Sequence, residues 1–155
     1  MARLPLENRP TLLAHPEALA PKSRDDGNEF GLLLSQLVLE RNFKTSLARE
    51  PVQLTENPIS LGKIPRKFAF EGNEPLGKIS VSGALTADYL LDDNALAYKT
   101  SKGLIAITGC SHSGICNIVE YAREVCREVK VIDIIGGFHL KELKKNDPKL
   151  TGTSC

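Results

Sequence analysis

Residues 99–140 constrain the fold of this chain more than any other stretch. They read KTSKGLIAITGCSHSGICNIVEYAREVCREVKVIDIIGGFHL. Residues 104–108 are a short apolar run with two isoleucines, bounded by Gly103 and Gly109, which is the pattern of a buried strand. Ile115, Ile118, Val119, Ala122, Val125 and Cys126 recur at spacings of three and four, one face of an amphipathic helix. Residues 130–135 are a second apolar run, rich in β-branched side chains and closed by Gly136 and Gly137. Strand, helix and strand in this order predict a βαβ unit over residues 103–137, right-handed and with parallel strands.

A parallel pair puts both C-terminal ends at one sheet edge, and open α/β sheets bind ligands outside that edge. The first strand runs into Gly109-Cys110-Ser111-His112-Ser113-Gly114 and the second into Gly136-Gly137-Phe138-His139. Two of the chain's three histidines therefore converge on one edge, each in a glycine-bearing loop that lets backbone approach closely. Such a pair suits a shared metal ion, because neutral imidazole is the commonest protein metal ligand. It equally suits one histidine capping a helix and the other donating to a carbonyl, so the pattern leaves both readings open.

The run GLIAITGCSHSGI at 103–115, followed by IGGFHL at 135–140, resembles the metallo-β-lactamase fold superfamily. Within it the similarity is to metal-dependent hydrolases of the dihydropterin (ribofuranosyl-aminobenzene phosphate) synthase-like branch. Residues 11–19 (TLLAHPEAL), 61–66 (LGKIPR) and 92–96 (DDNAL) fit the same branch, in order. The resemblance implies an α/β (α+β) class, half of an αββα sandwich whose mixed sheet contains the βαβ unit. It also implies a single domain over 1–155, the C-terminal part of the full fold, because the His-x-His-x-Asp-His motif of the first half does not occur here.

The remaining chain gives weaker signals. Thr11–Ala14 is a strand candidate, and His15-Pro16-Glu17 reads as a helix start in which His15 caps the turn rather than binding a ligand. Residues 20–31 read as a surface loop. Residues 32–41 are strongly apolar and suit either a helix or two short strands. Residues 44–47, 52–54 and 59–61 suggest a meander of brief antiparallel strands, continued by 64–70. Residues 71–87 read as a long loop with one strand near 78–81. Arg66 and Lys67 suit either an anionic substrate group or a solvated basic pair on a strand. Residues 95–99 and 104–108 flank a hairpin turn. Asp92 and Asp93 just before it suit metal ligation, orientation of a histidine, or a solvated loop. A short helix is expected after His139.

Composition narrows the classes. At 155 residues and 41% hydrophobic, the chain can bury a core, which must be mainly aliphatic because aromatics are 5% and Trp is absent. A net charge of +1 gives no electrostatic footprint for nucleic acid or an anionic membrane. No apolar run approaches the roughly 20 residues of a membrane span. The four cysteines form no Cys-x-x-Cys pair, and Cys116 and Cys126 fall in or beside the expected helix, where buried free thiols are common. A reducing, cytoplasmic location is the simplest expectation.

The resemblance implies that His112 and His139 are metal ligands, with Asp93, Ser111, Ser113, Gly136 and Gly137 orienting them or facing a small-molecule substrate. The metal is expected to be zinc, with manganese or iron as alternatives, activating water against an ester- or phosphate-type bond. The competing expectation is a non-catalytic remnant or interaction module that needs an N-terminal partner or forms a homodimer. Cys110 reads as a small thiol in a tight loop rather than as a nucleophile.

Overall fold

The computed structural model describes residues 8–138. In chain order its elements are β1 (Thr11–Ala14), β2 (Lys22–Ser23), α1 (Gln36–Asn42), β3 (Lys44–Leu47), β4 (Val52–Gln53), β5 (Pro58–Ser60), β6 (Gly77–Val81), β7 (Ala84–Asp88), β8 (Ala95–Thr100), β9 (Gly103–Thr108), α2 (Ile115–Cys126) and β10 (Val131–Ile135). They group into two compact units, one from residues 8–50 and 75–92, the other from residues 51–74 and 93–138. The class is mixed α and β, as expected.

The second unit is built on a mixed sheet of order β10-β9-β8-β5-β4. β9 and β10 are parallel and joined by α2, so the βαβ expectation is met; the other neighbours are antiparallel. The β8–β9 hairpin lies where the turn residues 100–103 place it. Strand alternation turns Ala95, Ala97, Leu104 and Ala106 inward, and each is at most 4% exposed. Ala95, Ala97 and Leu104 pack in one cluster with Ile118, Ala122 and Cys126 of α2, and Ile59, Leu61 and Ile64 complete it. Alanines on both surfaces leave room for the helix to sit close to the strands. α2 ends at Arg127, whose left-handed backbone lets the next N–H, that of Glu128, reach the Arg123 carbonyl at 3.1 Å.

The first unit holds a parallel pair β1–β3 and an antiparallel sheet of order β2-β6-β7. The Lys22 ammonium is buried between Asp88 Oδ2 at 3.1 Å and Asp92 Oδ1 at 2.5 Å, so the buried cation is paired rather than bare.

Several expectations are corrected. Residues 44–47 are not part of an antiparallel meander, since β3 pairs in parallel with β1. Residues 64–70 form no strand, because the Lys67 and Phe68 amides donate to a side chain instead of a neighbouring strand. Residues 71–87 hold two strands instead of one, and residues 20–31 include β2. Residues 32–41 lead into one short helix, α1. Cys126 is the buried free thiol expected, whereas Cys116 is disulfide-bonded. Among the described residues no helix is long and apolar enough to cross a membrane.

Candidate functional site

The parallel β9–β10 pair delivers two loops to one edge of the sheet. The Gly137 amide donates to the Gly109 carbonyl at 2.7 Å, and Ser111 Oγ donates to the Gly137 carbonyl at 2.7 Å. Gly136 has φ +145°, and a Cβ there would run into the Thr108 carbonyl, so this approach requires glycine. The two loops are thus fastened to each other at the backbone.

His112 lies between two buried serines, Ser111 at 3% and Ser113 at 0% exposure, and is itself partly buried. Asp93 Oδ2 accepts from Ser113 N at 2.8 Å and Ser113 Oγ at 2.5 Å. Asp93 therefore holds the residue next to His112, while its neighbour Asp92 serves the Lys22 ion pair. His139 lies outside the described residues. Cys110 is an exposed free thiol.

Underneath the loop lies a network that sequence patterning does not single out. Glu71 Oε1 accepts from Asn117 N at 2.6 Å and Oε2 from Cys116 N at 3.3 Å. Burial raises the Glu71 carboxyl above its ordinary value, while the amides of Asn117, Cys116 and Ile115, then the Arg66 charge, pull it back. Asn117, 1% exposed, accepts from Lys67 N at 2.7 Å and Phe68 N at 3.1 Å and donates to the Ser113 carbonyl at 2.9 Å. Arg66 turns inward, donating to the carbonyls of Gly72 at 3.0 Å and Ile64 at 2.8 Å. Its burial lowers the guanidinium's affinity for its proton, opposed by the charges of Asp93 and Glu71. Lys67 by contrast is solvent-facing and pairs with Glu124. The two residues of the basic pair thus have different environments. His15 caps the turn Pro16–Leu19 through Nδ1, which accepts from Glu17 N at 3.2 Å, as its position before Pro16 suggested.

No family model matches the chain. A 7,8-dihydropterin-6-methyl-4-(beta-D-ribofuranosyl)-aminobenzene-5'-phosphate synthase of Methanocaldococcus jannaschii is 37% identical over 97 residues, 61% of this chain and 33% of the relative. An uncharacterized protein of the same organism is 35% identical over 100 residues, 64% of this chain and 36% of that protein. The chain's match thus spans about a third of the length of these curated relatives. The crystal structure of a metal-dependent hydrolase of the beta-lactamase superfamily superposes with a TM-score of 0.72 and 26% identity, covering 92% of this chain and 54% of that one. The chain has the metallo-β-lactamase fold.

For a protein of the metallo-β-lactamase fold, the donor set decides whether a metal can be held. Among the described residues no three His, Cys, Asp or Glu side chains form a metal-binding group. Residues 8–138 alone therefore supply fewer than the three protein ligands that a catalytic site ordinarily uses. Within them Asp93 serves Ser113, Asp92 serves Lys22, and Glu71 serves the start of α2. Asn117 could have been flagged from its position in the first turn of a helix that begins at glycine. Glu71 carries no local signal, because its partners lie more than forty residues later.

Proposed function

We propose that this chain acts in a metal-dependent hydrolase of the metallo-β-lactamase superfamily, on a small molecule carrying an ester- or phosphate-type bond. His112 serves as one metal ligand and His139 as a second, with the remaining ligands coming from outside the described residues. The observation that carries this reading is the fastening of the β9 and β10 loops to each other beside His112, which the Ser111–Gly137 and Gly137–Gly109 hydrogen bonds maintain. Support also comes from the solved metal-dependent hydrolase, similar over 92% of this chain. A divalent metal held there would supply a bound water acidic enough to attack at neutral pH, and zinc is well suited to imidazole ligands. This chain's own residues orient the ligand: Asp93 holds Ser113, Ser111 holds Gly137, and His112 sits between two anchored neighbours. The synthase relative is named for forming a phosphate-bearing pterin conjugate, so a molecule of that class is one ligand to test.

The test is native mass spectrometry of the full chain in the presence of zinc. His112→Ala should abolish bound metal while leaving the thermal midpoint of the metal-free chain nearly unchanged. Equal metal stoichiometry in parent and variant would remove His112 from the site.

A second reading, an interaction module completed by another polypeptide or a second copy, is favoured by one observation. Leu33 is 85% exposed, Leu37 64% and Ile135 52%, more apolar exposure than isolated surface residues explain.

A further inference from the structure

We propose that Glu71 is a positioning residue for His112, acting through the first turn of α2. The inference rests on the proposed function only where metal binding is the readout.

A helix begins with amide groups that have no intrahelical acceptor, and a capping side chain usually takes those of the second and third helical residues. α2 begins after Gly114, which has no side chain to do so. The acceptor comes instead from Glu71, whose carboxylate takes the amides of Cys116 and Asn117, the second and third residues of α2. A negative group there also complements the positive end of the helix dipole.

The space is made for it. A Cβ at Gly114 would run into the Glu71 carboxylate, and a Cβ at Gly72 would run into the Ser113 carbonyl. An ordinary capping residue at position 114 would therefore exclude Glu71. Gly114 also sits at φ +94°, which a side chain disfavours. Asn117 adds a second fastening, taking the Lys67 and Phe68 amides while donating to Ser113. Residues 66–72 are thus secured to residues 113–117 directly after His112. Asp93 secures Ser113, and Gly137 secures Ser111. Removing the carboxylate loosens one of the fastenings that hold residues 111–117, the stretch that carries the imidazole.

The experiment compares the full chain with Glu71→Ala, Glu71→Gln and, as control, Lys67→Ala. The control breaks the exposed pair to Glu124 on the same helix but keeps the backbone amides that bind Asn117. The first readout is the imidazole cross-peak of His112 in nitrogen-15 spectra at fixed pH, assigned by its loss in His112→Ala. The second is zinc affinity measured by chelator competition. Glu71→Ala should shift or split the His112 cross-peak and weaken zinc by about 10- to 100-fold, the usual cost of losing a residue that orients a ligand. Glu71→Gln keeps one acceptor oxygen and the side-chain volume, so it should fold even if the alanine variant does not, with a smaller change in the same direction. Lys67→Ala should change neither readout. A His112 cross-peak that stays in place in the glutamate variants overturns the proposal. If the parent chain takes up no zinc, the metal reading fails separately, and the cross-peak still decides the role of Glu71.

Discussion

Ser111 holds a left-handed backbone, φ +55°, that L-residues adopt at a cost of about 1–2 kcal/mol. Its hydroxyl bond to the Gly137 carbonyl, in a residue 3% exposed, offsets that cost. Ser111→Ala keeps the strain and loses the bond, so it should destabilise by about 1 kcal/mol, read as a lower urea midpoint with an unchanged slope. Ser111→Gly relieves the strain and should lose less, which separates the two contributions. Glu71 predicts a pH effect. Burial raises its carboxyl above the ordinary 4.5, so the folded chain holds that proton more tightly than the unfolded chain. The associated stability is present in full below 4.5 and is lost as pH rises from there through the folded value. Arg66 and Asp93 lie in the same charge environment and are unchanged in the comparison. Glu71→Gln cannot titrate, so chemical unfolding of the parent should show a steeper loss with rising pH than the variant does. Parallel profiles would mean that Glu71 titrates as it does in the unfolded chain.

At the scale of elements, α2 joins the sheet to the candidate site. Ile118 is fully buried in its middle, against the inward alanines and Leu104. Ile118→Ala should cost about 2–5 kcal/mol in equilibrium unfolding, because the alanine-lined surface has little volume with which to refill the cavity. Leu33→Ala, 85% exposed before α1, should stay within about 0.5 kcal/mol. The elements legible from sequence were those with a contiguous pattern: β8, β9, α2 and β10, β1, and the His15-capped turn. β7 was missed because its first four residues are all exposed, and ALTAD offers no apolar alternation. The strand expected at 64–70 failed because the Asn117 side chain takes two of its amides.

For the whole molecule, the exposed leucines and isoleucines bear on association. If a second copy covers them, the thermal midpoint should rise with protein concentration, by mass action. A midpoint independent of concentration, with a single mass in native spectra, would leave completion by a different polypeptide as the surviving form of that reading.

Sequence alone determined what depends on neighbours along the chain. The 3.6-residue period of α2, the apolar runs of β9 and β10, and the two glycine loops dictate a parallel edge with His112 on it. Tertiary structure decided where a polar side chain finds a partner far along the chain. Asp92 and Asp93 are adjacent and chemically identical, yet one pairs with Lys22 and the other with Ser113. Arg66 and Lys67 likewise part, one inward and one to solvent. Apolar burial follows local periodicity, whereas a hydrogen bond needs a specific atom within about 3 Å, and only the packed chain brings Glu71 to the start of α2.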